Sequence, residues 1–71
     1  YFSNNYATAA DYYKMYLSYN PDDYDVHEKY AYTLEYSKQY AKAAGEFYLL
    51  MWYKKTPTIE YNYAYSLQKS G

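Results

Sequence analysis

Apolar and aromatic residues recur along the chain at spacings of three and four, which is the pattern of one face of an α-helix. In the first segment, about residues 5–19, the stripe consists of Tyr6, Ala9, Ala10, Tyr13 and Leu17. The alternation typical of a strand is confined to residues 61–65, and a similar pentapeptide occurs in an earlier helical segment. The pattern therefore predicts an all-α chain.

Three more segments carry the same spacing, at about residues 24–37, 40–54 and 57–70. Their predicted buried residues are Val26, Tyr30, Ala31 and Leu34 in the second helix, Tyr40, Ala43, Ala44, Phe47, Leu50 and Met51 in the third, and Ile59, Tyr63, Ala64 and Leu67 in the fourth. The connections are short, so we expect consecutive helices to pack antiparallel.

Residues that stop or start helices separate these segments. Pro21 ends the first helix, and either Asp22 or Asp23 caps the second. Thr56 is expected to cap the fourth helix with Pro57 at its first position, and Gly71 to end it.

Two short sequences are repeated with nearly the same offset. Residues 30–34 (Tyr-Ala-Tyr-Thr-Leu) recur at 63–67 (Tyr-Ala-Tyr-Ser-Leu), and residues 6–10 (Tyr-Ala-Thr-Ala-Ala) recur at 40–44 (Tyr-Ala-Lys-Ala-Ala). Two different segments repeated at one period indicate a two-helix unit that is copied along the chain. A period in the thirties is typical of helical solenoids, which serve mostly as binding scaffolds.

These residues resemble the tetratricopeptide repeat, a helix-turn-helix unit of about 34 residues. Helix A has a small residue midway, which is Ala31 in one copy and Ala64 in the next. Helix B has an aromatic residue, then a small one three positions later, then an aromatic one four positions after that: Tyr6, Ala9 and Tyr13 in one copy, and Tyr40, Ala43 and Phe47 in the other. Pro21 closes the first repeat. The resemblance implies a short right-handed α-solenoid of about four helices. Within the single segment 1–71, helix B of one repeat spans 5–19, a full repeat spans 24–56, and helix A of the next spans 57–70. We therefore expect a segment of a longer array.

The sequence departs from the family pattern at several positions. His27 and Glu60 stand where helix A usually has an aromatic residue, and Lys38 stands where a Gly is expected to close helix A. Tyr16 and Leu50 replace a small residue late in helix B, which predicts wider helix separation or an altered curvature of the solenoid.

Composition gives little support for catalysis or for binding of nucleic acid. The chain has no Cys, two Gly and one His, so thiolate metal sites and Gly-rich phosphate loops are excluded. His27 has no second metal ligand and is expected to be exposed or half-buried. The net charge is −1, which does not favour nucleic acid. We predict no enzyme activity, no cofactor, no metal, no nucleic acid and no membrane span; the localisation is left open.

The resemblance implies a protein–protein interaction scaffold whose helix A residues line a concave groove for a peptide or partner protein. The residues at those positions are Asp25, Glu28, Tyr32, Glu35, Tyr36, Tyr61, Tyr65, Gln68 and Lys69. Tyr32, Tyr61 and Tyr65 are the expected anchors, and the carboxylates favour a partner that carries Lys or Arg. Family members that clamp a carboxylate have Lys and Asn where this chain has Glu28, Tyr32, Tyr61 and Tyr65, so that subclass is a poor match.

A structural role is the alternative. Tyr accounts for 16 of the 71 residues, which could also reflect compositional bias. Tyr12, Tyr19, Tyr48 and Tyr53 on the helices of B type favour contacts within a larger assembly, such as a bacterial cell-envelope or motility machine, with no transient ligand. Because a half-repeat stands at each end, we also expect the isolated chain to be marginally stable or to self-associate through its end helices.

Overall fold

The computed structural model describes residues 5–71, and these residues form an all-α structure, as the sequence predicts. The four helices are α1 (Tyr6–Tyr19), α2 (Tyr24–Tyr36), α3 (Tyr40–Tyr53) and α4 (Pro57–Ser70). None of these helices is long and apolar enough to cross a membrane. Each helix packs against the next one along the chain, in the manner of a helical repeat. The division into tetratricopeptide-like units stays a prediction.

Side-chain caps start the second and fourth helices. The Asp23 carboxylate accepts a hydrogen bond of 3.3 Å from the backbone N–H of Val26, so Asp23, and not Asp22, is the cap. The Thr56 hydroxyl accepts one of 3.2 Å from the N–H of Ile59, and Pro57 opens the helix. Each cap satisfies a backbone donor that the first turn leaves free.

Lys38 adopts a left-handed backbone conformation, with φ of 66°, immediately after α2. The N–H of Lys38 donates to the carbonyl of Glu35, and the N–H of Gln39 donates to the carbonyl of Leu34. This pair of bonds is a Schellman motif, in which the left-handed position is usually Gly. Lys38 therefore holds the conformation for which the family pattern uses Gly, at a steric cost that Gly avoids.

The core forms where α3 packs between α2 and α4. Its buried members come from all four helices, and Phe47 on α3 is the largest of them. They are Ala10, Ala31, Leu34, Ala43, Phe47, Leu50 and Ile59. Partly buried aromatic rings, including those of Tyr30 and Tyr63, pack around this cluster. The predicted stripes of α1, α2 and α3 thus face the core.

The predicted stripe of α4 is buried only in part. Ile59 is buried, but Ala64 and Leu67 are exposed, Leu67 to 47%. Their counterparts in α2, Ala31 and Leu34, are covered because α3 packs on that side of α2. Within residues 5–71 no helix follows α4 to cover the equivalent side, so the prediction that Ala64 and Leu67 are buried was wrong.

His27 is buried, which also differs from the expectation. Its Nε2 donates a hydrogen bond of 2.8 Å to the carbonyl of Pro21, and its Nδ1 lies 2.9 Å from the Glu46 carboxylate. The imidazole thus links the α1–α2 connection to α3. A polar side chain can take the place of the family's aromatic residue here because both ring nitrogens have partners.

Replacing Lys38 by Gly should stabilise the fold by about 1 kcal/mol, because Gly adopts the left-handed conformation without the steric cost of a Cβ. Urea unfolding followed by circular dichroism measures the change. Lys42→Gly is the matched control: Lys42 is exposed within α3, where Gly should cost about 0.5–1 kcal/mol. Destabilisation by both substitutions would contradict the argument.

The chain should self-associate at high concentration through the exposed side of α4. A Leu67→Glu substitution should shift the equilibrium toward monomer, because it places a charge in a surface that must be desolvated on association. Analytical ultracentrifugation measures the change. The control is Leu49→Glu, since Leu49 is exposed to a similar degree, 41%, on α3. Equal sedimentation of wild type and Leu67→Glu would show that this side of α4 is not the contact.

Candidate functional site

An open pocket of about 450 Å³ lies between the C-terminal half of α2 and the facing side of α4. We call it the α2–α4 pocket. Its lining residues are Glu35, Tyr36, Lys38, Tyr40, Tyr61, Asn62 and Tyr65. Four of these, Glu35, Tyr36, Tyr61 and Tyr65, are among the nine residues that the sequence places in a groove. The structure therefore brings part of the predicted set together around one concavity.

Glu35 is the buried acidic group of this pocket, with 9% of its surface exposed. Its Oε2 accepts a hydrogen bond of 3.3 Å from the Ser66 hydroxyl, which joins α2 to α4. Burial raises the pKa of Glu35 above its ordinary value, and the bond from Ser66 offsets part of that shift. No ion pair involves Glu35 within residues 5–71. The carboxylate is therefore held in the protein without a cation.

Aromatic rings form most of the remaining wall. The rings of Tyr61 and Tyr65 stack with centroids 6.4 Å apart, and Tyr40 meets Tyr65 edge-on at 6.1 Å. On the α2 side, Tyr36 packs at 5.2 Å against Tyr6 of α1. Each of these rings therefore packs against at least one other aromatic ring of the described residues.

The other predicted groove residues of α2 form a separate, shallower depression. Asp25, Glu28 and Tyr32 line it together with Lys29. Glu28 lies 3.7 Å from the Lys54 ammonium, and the Tyr32 ring packs edge-on against Phe47 at 5.4 Å. Burial and then the nearby carboxylates of Glu28 and Glu35 raise the pKa of the Tyr32 hydroxyl. Tyr32 is thus half-buried on the core, and less free to anchor a ligand than Tyr61.

The last two predicted residues lie at the end of α4. Gln68 is exposed and is not part of either depression. Lys69 is exposed, and its ammonium stands 5.6 Å from the centroid of the Tyr65 ring, a distance at which a cation–π attraction operates. Lys69 thus borders the α2–α4 pocket through Tyr65 without lining it.

Three residues of the pocket were not predicted from the sequence. Tyr40 was assigned to the core, Lys38 only to a turn, and Asn62 to no role. Lys38 and Tyr40 reach the pocket because the turn between α2 and α3 closes one end of it. Asn62 could have been identified from the sequence. It lies three positions before the predicted groove residue Tyr65, and residues three apart share one face of a helix.

Large exposed rings also lie outside the pocket. Tyr12, Tyr19, Tyr48 and Tyr53, the residues that favour the structural alternative, are all exposed. Two of them are partly fixed by neighbours: Tyr53 stacks on Tyr24 with centroids 4.0 Å apart, and Tyr48 packs against Tyr63 at 5.9 Å. Their exposure therefore does not by itself discriminate between a binding groove and contacts in an assembly.

Comparison of the chain with protein-family models, curated proteins and solved structures found no match. The resemblance to the tetratricopeptide repeat therefore stays a prediction that rests on the chain's own residues. In residues 5–71, no three potential ligands among His, Cys, Asp and Glu come together as a metal site. The α2–α4 pocket is the most developed candidate site in residues 5–71, because it combines a buried carboxylate with several aromatic rings.

Replacing Glu35 by Gln should stabilise the fold at neutral pH and have little effect near pH 4. Because burial raises the pKa of Glu35 above 4.5, protonation favours the folded state. That contribution is fully present below the ordinary pKa and is lost as the pH rises through the raised value. The unfolding free energy of wild type and variant, measured by urea denaturation from pH 4 to 8, gives the difference.

The control for this experiment is Asp25→Asn, which removes an exposed carboxylate from the first turn of the same helix. An acidic group there interacts favourably with the helix dipole, so its loss should destabilise slightly at neutral pH, the opposite sign. A pH-independent difference between wild type and Glu35→Gln would contradict the assignment of Glu35 as a destabilising buried charge.

Proposed function

We propose that the chain is a non-enzymatic protein–protein interaction scaffold that binds a peptide or a segment of a partner protein along the side formed by α2 and α4. The observation that carries the proposal is the α2–α4 pocket, where Glu35, Tyr36, Tyr61 and Tyr65 converge. These positions were selected from the repeat pattern alone. Their convergence in one concavity is what a peptide-binding groove requires.

The chemistry of this side suits a peptide. Tyr rings supply large contact areas and lose little side-chain entropy when they are immobilised. Tyr61 is 69% exposed, so a partner could bury much of its ring. The shallower depression with Asp25 and Glu28 lies on the same helix as Glu35 and Tyr36. A chain lying along α2 would therefore meet two acidic positions and then an aromatic pocket.

The alternative is a structural segment of a larger assembly that has no transient ligand. The exposed rings of Tyr12, Tyr19 and Trp52 outside the pocket, together with the uncovered Ala64 and Leu67, favour it. On this interpretation the Tyr-rich surfaces contact neighbouring repeats or subunits. Binding in the pocket requires the Tyr61 ring, whereas contacts in an assembly require rings outside the pocket such as that of Tyr12. Replacing each of the two residues by Ala therefore separates the two functions.

Peptides selected from a random display library on the immobilised chain should lose affinity when Tyr61 is replaced by Ala. Truncation of a central aromatic anchor typically costs 2 kcal/mol or more of binding free energy, about thirtyfold in affinity. Since the ring is exposed, the unfolding free energy should change by no more than about 0.5 kcal/mol. Fluorescence anisotropy measures the affinity, and urea denaturation measures the stability.

Tyr12→Ala is the matched control, because Tyr12 is 66% exposed but lies on α1 outside the pocket. It should leave the affinity unchanged. Loss of binding in Tyr12→Ala with full binding in Tyr61→Ala would favour contacts at the other surface. Failure to select any peptide would argue against a transient ligand and favour the structural alternative.

A further inference from the structure

The buried carboxylate of the α2–α4 pocket, Glu35, makes no ion pair within residues 5–71. Each ion pair in residues 5–71 involves another carboxylate: His27 with Glu46, Lys54 with Glu28 and Lys55 with Glu60. Glu35 is more deeply buried than Glu28, Glu46 or Glu60, and within residues 5–71 the Ser66 hydroxyl is the one side-chain donor that bonds to it. A buried carboxylate without a cation costs folding free energy. A ligand that brings a positive charge would remove that cost.

The walls of the pocket also favour a cation. Four Tyr rings line the pocket together with Glu35, and the face of an aromatic ring attracts an ammonium group electrostatically. The position of Lys69, 5.6 Å from the Tyr65 centroid, is an example of this attraction at the edge of the same ring cluster. The rings also offer apolar area on which an aliphatic stem can lie.

We propose that the α2–α4 pocket binds the side chain of a lysine of the partner, with its ammonium at Glu35 and its four-carbon stem against Tyr61 and Tyr65. This inference rests on the proposed function and names the side chain that the groove selects. We name lysine because the Ser66 hydroxyl already bonds to Oε2 of Glu35, so a guanidinium that pairs with both carboxylate oxygens would have to share Oε2 with Ser66. A guanidinium pairs best with both carboxylate oxygens, whereas an ammonium is a compact charge that needs only one.

Lys38 is the charged residue of this chain that competes with the ligand. It lines the pocket, is exposed, and makes no ion pair with Glu35 at 4 Å or less. Its ammonium can therefore swing toward solvent when a ligand enters. Removal of this charge in Lys38→Gly should strengthen binding of a lysine side chain, since like charges in one pocket repel.

The test uses three small probes with the whole chain: the Nα-acetyl methylamides of lysine, norleucine and arginine. Titration followed by ¹H–¹⁵N NMR should show lysine shifting the amide signals around Glu35, Tyr61 and Tyr65. Norleucine, which has the aliphatic stem without the ammonium, should bind about tenfold more weakly or not at all. Arginine should bind more weakly than lysine.

Glu35→Gln should weaken lysine binding by about tenfold and leave norleucine binding unchanged. The variant keeps an oxygen that can accept the bond from Ser66, and its melting temperature shows that it folds. Asp11→Asn, which removes the same charge from an exposed position on α1 outside the pocket, should bind lysine as the wild type does. If Glu35→Gln does not fold, Tyr61→Ala provides the second variant, with an expected loss of several-fold.

Two results would overturn the inference: equal binding of lysine and norleucine, or lysine binding that is unchanged in both Glu35→Gln and Tyr61→Ala. Tighter binding of arginine would overturn the preference for lysine. The library selection separates this inference from the proposed function. Peptides that bind at Tyr61 but carry no lysine would refute the lysine pocket alone. If neither peptides nor lysine bind, both proposals fall.

Discussion

The close packing of α3 between α2 and α4 is the contact on which the rest of the structure depends. Ala31 and Ala43 have no exposed surface, and Phe47 of α3 is fully buried beside them in the core. Small residues let helix backbones approach, while Phe47 supplies much of the buried apolar area. Since α3 holds both neighbours, α2 and α4 are brought to the same side, where Ser66 meets Glu35. The candidate site is therefore a consequence of core packing.

The sequence predicted what is determined locally. Helix positions and the Thr56 cap follow from spacing and from backbone chemistry within a few residues. It did not predict the burial of His27, because that depends on contacts of its ring nitrogens with Pro21 and Glu46 in other elements. It also failed for Ala64 and Leu67, since a repeat pattern marks a surface that can pack and does not say what covers it. Four of the nine predicted groove residues line one pocket, whereas the place of Tyr40 in it depends on how the turn folds.

The abundance of Tyr has a physical explanation that is independent of ligand binding. In a chain of 71 residues few positions can be fully buried, so most core-facing aromatic residues keep one end in water. A Tyr ring suits such a position because its body packs while its hydroxyl stays hydrated. Tyr24 and Tyr53 stack in this way, and the Tyr16 hydroxyl donates to the Asp23 carboxylate at 2.8 Å. Exposed Tyr rings alone are thus weak evidence for a binding surface.

Glu35 is stronger evidence, because stability does not account for it. A neutral side chain at that position could keep the bond to Ser66 without the cost of a buried charge. The pairing of His27 with Glu46 shows that the same fold does provide a partner for another acidic side chain. Residues that reduce stability are frequently kept for function. The buried carboxylate therefore marks the α2–α4 pocket as the candidate site. Its negative charge and the faces of the Tyr rings both favour a ligand that carries a positive charge.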